Sequence, residues 1–182
     1  MPQHNQFKRP TAEGIDIAPG AAGGASWSPV SYDARTGLSY IAGIHMPTHY
    51  TVKEIAATST QPAVRYTTLE VVDGPTWGTL TAIDTRASGR IRWQVKTAQP
   101  LVGGVLATAG DVVFTGEGNG DFSAFHAQTG ERLWKFNCGA GVNAPAVTYE
   151  LDGVQYIAVA AGGSAIFGYR QGDALMVFAL PR

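Results

Sequence analysis

An all-β chain, folded as an unfinished propeller of four-stranded antiparallel blades numbering about two and three-quarters, is the fold class this sequence predicts. Three observations carry it. The phrase GDFSAFHAQTGERLW, which opens at Gly120, repeats GTLTAIDTRASGRIRW, which opens 42 positions earlier at Gly78; Ala82 matches Ala124, and Trp93 matches Trp134 after a one-residue insertion. A second hairpin type recurs around Gly37, Gly110 and Gly153, the last two 43 positions apart. The chain also carries 23 glycines and 10 prolines among 182 residues, 45% of them hydrophobic, a turn-rich globular composition.

Taken in order, residues 1–24 read as loop, because Pro10, Pro19, Gly20, Gly23 and Gly24 break any helix. Ser28–Tyr32 and Leu38–Ala42 then flank Asp33-Ala-Arg-Thr-Gly37 as two strands around a glycine turn. With the hairpin ending near Trp93 they make a first blade over 28–95, enlarged by an insertion at 43–77. A second blade spans 104–136. Over 145–179 there are three strands only, since Leu175–Phe178 aligns with Leu80–Ile83 and Phe122–Phe125 and little sequence follows. Propellers close with roughly 4 to 8 blades, so the expectation is a single fragment whose last blade takes its fourth strand from elsewhere. Exposed blade faces and an unpaired edge predict weak stability alone.

Charge and cysteine content exclude several functions. A net charge of −1 gives no electrostatic support for binding nucleic acid or anionic lipid. Cys138 is the single cysteine, so neither an intrachain disulfide nor a CxxC or CxxCH motif exists. No apolar run approaches the ~18 residues of a membrane span, and the first residues lack a secretory h-region.

Ala124-x-x-x-x-Thr129-Gly130-x-x-x-Trp134 resembles the eleven-residue tryptophan-docking motif of the pyrroloquinoline quinone (PQQ) dependent alcohol and methanol dehydrogenases, with His126 where that pattern has Asp. Gly23-Gly-Ala-Ser-Trp27-Ser-Pro29, Tyr32-Asp-x-x-Thr36-Gly-Leu38-x-Tyr40, Gly103–Gly110, Pro145–Tyr149 and Gly153–Ala158 are similar, in the same order, to the C-terminal third of that family. The resemblance implies an eight-bladed periplasmic oxidoreductase that holds PQQ over calcium at the propeller axis, where a carboxylate takes the alcohol proton and hydride passes to the quinone. It implies a fragment inactive alone, whose partners are the N-terminal part of the propeller, an alcohol substrate and a separate cytochrome or other electron acceptor. The family's calcium ligands, catalytic Asp, vicinal disulfide and tryptophan floor have no counterpart in this text. No catalytic or metal residue is therefore assigned.

What this chain adds, by the same resemblance, is a cofactor rim of Ser26, Trp27, Val142 and Asn143. Ser26-Trp27 occupies the place of an Asn-Trp pair that contacts the quinone in many relatives, and Gly139–Pro145 falls where another blade end approaches it. Each residue has a plainer reading. Trp27 is a rim or a core residue; Asn143 is a ligand contact or a turn residue before Pro145. His45, Met46 and His49 suggest a soft metal site less than a lid or packing segment. Asp111, Glu117 and Asp121 surround a glycine turn that does not follow calcium-loop spacing. A non-catalytic propeller scaffold for protein binding is the alternative function, and a ring of several copies a third.

Overall fold

The structure, a computed structural model, describes residues 9–72 and 74–180, and every helix or strand assigned in them is a β-strand. Among the described residues fourteen strands, numbered along the chain, form four antiparallel sheets. They belong to two compact units, one comprising 24–44 and 76–182, the other 1–23 and 45–75.

The larger unit holds three sheets, each strand of which is hydrogen-bonded to the next in space. The first contains β2 (Ser31–Asp33), β3 (Leu38–His45), β6 (Trp77–Asp84) and β7 (Arg90–Thr97), in that order. β8 (Val105–Ala107), β9 (Val112–Gly116), β10 (Asp121–His126) and β11 (Arg132–Asn137) make the second; β12 (Val147–Leu151), β13 (Val154–Ala161) and β14 (Ala174–Ala179) make the third. The repeated phrase becomes the same object twice. Ala82 faces Trp93 and Ala124 faces Trp134, and the register shifts immediately after each alanine. The extra residue of the upstream copy is absorbed in its turn, where Ser88 and Gly89 both take positive φ, against Gly130 alone downstream.

Two cores result. Leu38, Tyr40, Leu80, Leu101, Val113 and Phe125 join the first sheet to the second, and Phe122, Cys138, Val142, Ile157 and Val159 join the second to the third. Alternation along the middle strands supplies one buried face to each neighbour. The outer strand of the first sheet adds Trp93, whose Nε1–H donates to the Ala127 carbonyl at 2.8 Å and whose ring lies over Gly130 of the second sheet. Trp134, in the same register one sheet on, meets the Phe178 ring edge-on at 5.1 Å and remains 38% exposed, and its indole N–H has no acceptor among the described residues.

In the smaller unit β1 (Ile15–Ile17), β4 (Thr48–Ile55) and β5 (Val64–Val71) form a sheet in the order β1-β4-β5. This corrects the loop expected over 1–24. Residues 1–8 lie outside the described residues, and Ile15-Asp-Ile17 pairs with Tyr50-His-Thr48, because an alternating tripeptide suffices once an edge is offered. The insertion expected at 43–77 is also narrower: β3 runs to His45, β6 starts at Trp77, and the span between holds the long β4–β5 hairpin. Pro47 stands outside both of its strands, so it bounds the hairpin without breaking it.

Candidate cofactor-binding site

Each sheet of the larger unit begins with a short strand, and the residues just before β2, β8 and β12 lie side by side. Val105 N donates to the Pro29 carbonyl at 3.0 Å, and Ala107 N to Ser31 Oγ at 3.0 Å. The Ser28 hydroxyl is buried and donates to the Val102 carbonyl at 3.0 Å. Between them the Gly103-Gly104 pair is a close-packed spacer, tightest at Gly104. A Cβ on Gly104 would stand 2.6 Å from Pro145 Cβ and 3.0 Å from Pro29 Cδ, and one on Gly103 would stand 3.2 Å from the Val142 carbonyl oxygen. The segments that lead into β2 and β12, carrying Ser26-Trp27 and Val142-Asn143, thus both flank the Gly103-Gly104 stretch that leads into β8.

Their four side chains differ sharply in setting. Trp27 is 74% exposed and packs in neither core of this chain, a large aromatic surface on offer. Ser26 is exposed beside it. Val142 is fully buried and fills the space beside Gly116, so it backs the rim and does not present its side chain to a ligand. Asn143 is half-buried, yet both Oδ1 and Nδ2 are enclosed without a hydrogen-bond partner. An amide left in that condition costs about 1–3 kcal/mol, of which a bound carbonyl or carboxylate would relieve the Nδ2 share and a bound N–H or O–H the Oδ1 share. An amide with a free donor and a free acceptor, together with an exposed indole, is the kind of donor set that a planar ligand bearing carbonyls and carboxylates takes.

Two residues at this end have settings that the sequence did not indicate: Glu117, weighed there only as part of a calcium loop, and Tyr169, not singled out at all. Glu117 is 5% exposed, and its Oε2 accepts the Gln99 N–H at 3.2 Å. Burial pushes its carboxyl group above the ordinary range, and the Gln99 and Ala98 N–H groups pull partly against that. Tyr169 lies on the β13–β14 connection with its hydroxyl 3.4 Å from the Pro100 carbonyl, and burial with the Glu117 charge pushes its pKa up to about 12. Nothing in the local text marks either: one reads as a turn residue and the other as part of a glycine-rich loop.

Elsewhere the chemistry is sparse. No group of three or more His, Cys, Asp or Glu side chains able to hold a metal occurs among the described residues. His49 of the smaller unit is hydrogen-bonded through Nδ1 to Asp16 at 2.6 Å. Cys138 is buried, and that burial pushes its thiol pKa up, away from nucleophilic reactivity.

Comparison with known proteins places these features in context. The family described as "Glucose/ethanol/alcohol dehydrogenase, beta-propeller domain" matches residues 1–157. A quinoprotein ethanol dehydrogenase of Pseudomonas aeruginosa is 39% identical over 155 residues, which cover 84% of this chain and 25% of that protein. The quinoprotein alcohol dehydrogenase PedH of Pseudomonas putida is 34% identical over an alignment covering all of this chain and 34% of its own length. Among solved structures, the quinohemoprotein alcohol dehydrogenase of Comamonas testosteroni superposes with a TM-score of 0.76 at 32% identity, covering 91% of this chain and 27% of that one. A europium-containing methanol dehydrogenase gives 0.69 at 28% identity, covering 84% of this chain and 28% of its own. The chain thus spans about a quarter to a third of the length of the relatives named here.

Proposed function

We propose, starting from a chain that belongs to the PQQ-type glucose/ethanol/alcohol dehydrogenase β-propeller family, that it supplies one side of the quinone site of an alcohol-oxidising propeller. When bound, PQQ supplies the ortho-quinone that takes two electrons from the alcohol. The work of this chain is to hold and orient it. Asn143 donates from Nδ2 and accepts at Oδ1, Ser26 offers a hydroxyl, Trp27 offers its ring, and Val142 keeps the Asn143 backbone seated from below. The single observation that carries the reading is the enclosed, unpartnered amide of Asn143, whose segment flanks the same Gly103-Gly104 stretch as that of Trp27, an indole in neither core of this chain.

The remaining machinery, including calcium and its ligands, the catalytic base and the alcohol pocket, belongs in this proposal to blades outside the present chain, which is inactive without them. Its three sheets are then consecutive blades of an eight-bladed ring. Two features support such completion. β14 is hydrogen-bonded on one side only among the described residues. Beside it opens an apolar groove of about 790 Å³, lined by Trp134, Phe178, Leu180, Phe114 and Leu133 among others, where a fourth strand would cover Trp134. Periplasmic location and delivery of electrons to a separate cytochrome or similar carrier complete the proposal.

Titration of the intact protein with PQQ and calcium, followed by quinone absorbance, tests it. Saturable binding is expected, weakened about tenfold by Asn143→Ala, as the loss of roughly 1.4 kcal/mol of hydrogen bonding predicts, and weakened also by Trp27→Ala. Absence of any quinone binding favours a propeller used only as a protein scaffold.

A further inference from the structure

The connection from β7 to β8, residues 98–104, has no regular structure, yet several of its backbone polar groups have partners. The Glu117 carboxylate accepts from Gln99 N, Tyr169 OH donates to Pro100 O, Leu101 N donates to Gly43 O at 3.3 Å, and Ser28 Oγ donates to Val102 O. Thr97 Oγ1 closes the turn by donating to Gln99 O at 2.8 Å. Leu101 and Val102 are buried beneath it. Of the side-chain anchors, Glu117 and Tyr169 come from the second and third sheets, so they bind the connection to the elements that carry the far half of the rim.

Those two side chains also interlock. Gly118, next to Glu117, has no side chain because the Tyr169 ring occupies that place, with Cε1 2.5 Å from where a Cβ would be. Gly141 lies behind the same residue, and Phe167 stacks on it at 5.7 Å. The main-chain oxygen of Glu117 accepts Val142 N at 3.0 Å. Glu117 therefore holds the connection with its side chain and the Val142-Asn143 segment with its backbone, and Gly103 of the connection lies against the main chain of Val142, Asn143 and Ala144.

We propose that Glu117 and Tyr169 are positioning residues for the cofactor rim: they clasp the 98–104 connection and, through Gly103, fix the backbone on which Asn143 stands. The consequence for the quinone rests on the function proposed above; the clasp itself does not. A buried carboxylate is an unfavourable choice for a simple acceptor. Here it serves as an acceptor aimed at the Gln99 N–H, which draws on its charge. Because the Tyr169 phenol keeps its proton at any working pH, it remains a donor to Pro100.

Amide hydrogen exchange on the intact protein without quinone, read by mass spectrometry, separates the possibilities. Glu117→Ala is expected to speed exchange about tenfold or more in peptides covering both 97–104 and 141–146, Glu117→Gln, which keeps one acceptor oxygen, less than about threefold, and Tyr169→Phe to an intermediate degree in 97–104. Strands β9 and β10 serve as the internal control and should hold their protection. Faster exchange in 97–104 with 141–146 unchanged overturns the positioning role. Should Glu117→Ala fail to fold, Tyr169→Phe decides, and unchanged exchange in 97–104 overturns the clasp. In a parallel PQQ titration, Glu117→Ala should weaken binding about tenfold with rescue by Glu117→Gln; no binding by the unaltered protein defeats the cofactor reading and leaves the exchange data to judge the clasp.

Discussion

At Asn143 the side chain and the fold are in conflict unless something else is bound. Replacing the amide by an apolar group of similar size removes an unsatisfied donor and acceptor, so Asn143→Leu should raise the stability of the quinone-free protein by about 1 kcal/mol. The same change should abolish part of the stabilisation that quinone confers. Thermal melts with and without PQQ read both signs, and a variant destabilised in both states contradicts the account. Glu117 makes a second prediction at this scale. Its folded pKa is raised above the ordinary 4.5, first by burial and further by Asp121, with the Gln99 and Ala98 N–H groups and Arg132 opposing. The folded state thus binds this proton more tightly than the unfolded chain. That contribution is full below about pH 4.5 and disappears as pH climbs through the raised folded value. Stability of the natural protein relative to Glu117→Gln should therefore fall from pH 4 towards neutrality in urea titrations; parallel curves for the two proteins would contradict it.

Among elements, the paired hairpins β6–β7 and β10–β11 allow a controlled comparison. Gly89 and Gly130 hold nearly the same left-handed φ, 73° and 75°, in equivalent turns. Nothing lies within 4 Å of a Cβ built on Gly89, whereas one on Gly130 would stand 2.6 Å from Trp93 Cε3. Both alanine substitutions pay the left-handed cost of about 1–2 kcal/mol, and Gly130→Ala should add about 1–3 kcal/mol by displacing the indole. Chemical denaturation measures the difference. Equal losses would mean that Trp93 does not dock firmly on the second sheet, despite its hydrogen bond to Ala127.

For the molecule as a whole, the open side of the third sheet is the dominant feature. Leu175 and Leu180 are 70% and 87% exposed along or just beyond β14, and the apolar groove runs beside them. An unguarded hydrophobic edge pairs with any available strand, so the 182-residue chain should self-associate with rising concentration. A charge on the edge, Val177→Lys, should suppress this in light scattering. A concentration-independent monomeric mass for the unaltered chain would argue that the edge is already covered.

Much of this was legible from residue order. The period of glycines and tryptophans dictated the all-β class and the equivalence of Ala82 with Ala124 and of Trp93 with Trp134, because two copies of one hairpin phrase carry the same turn chemistry and alternation. The strands β4 and β5 escaped notice because the prolyl-flanked insertion carries no repeat partner to reveal its pattern, and β1 because its three residues sit among glycines and prolines. Tertiary structure alone decided that Trp27 faces outward, that Val142 turns inward, that the Asn143 amide is stranded, and that Glu117 and Tyr169 converge from different sheets on Gln99 and Pro100. Exposure and convergence depend on which segments become neighbours across tens of residues, and no local periodicity encodes that.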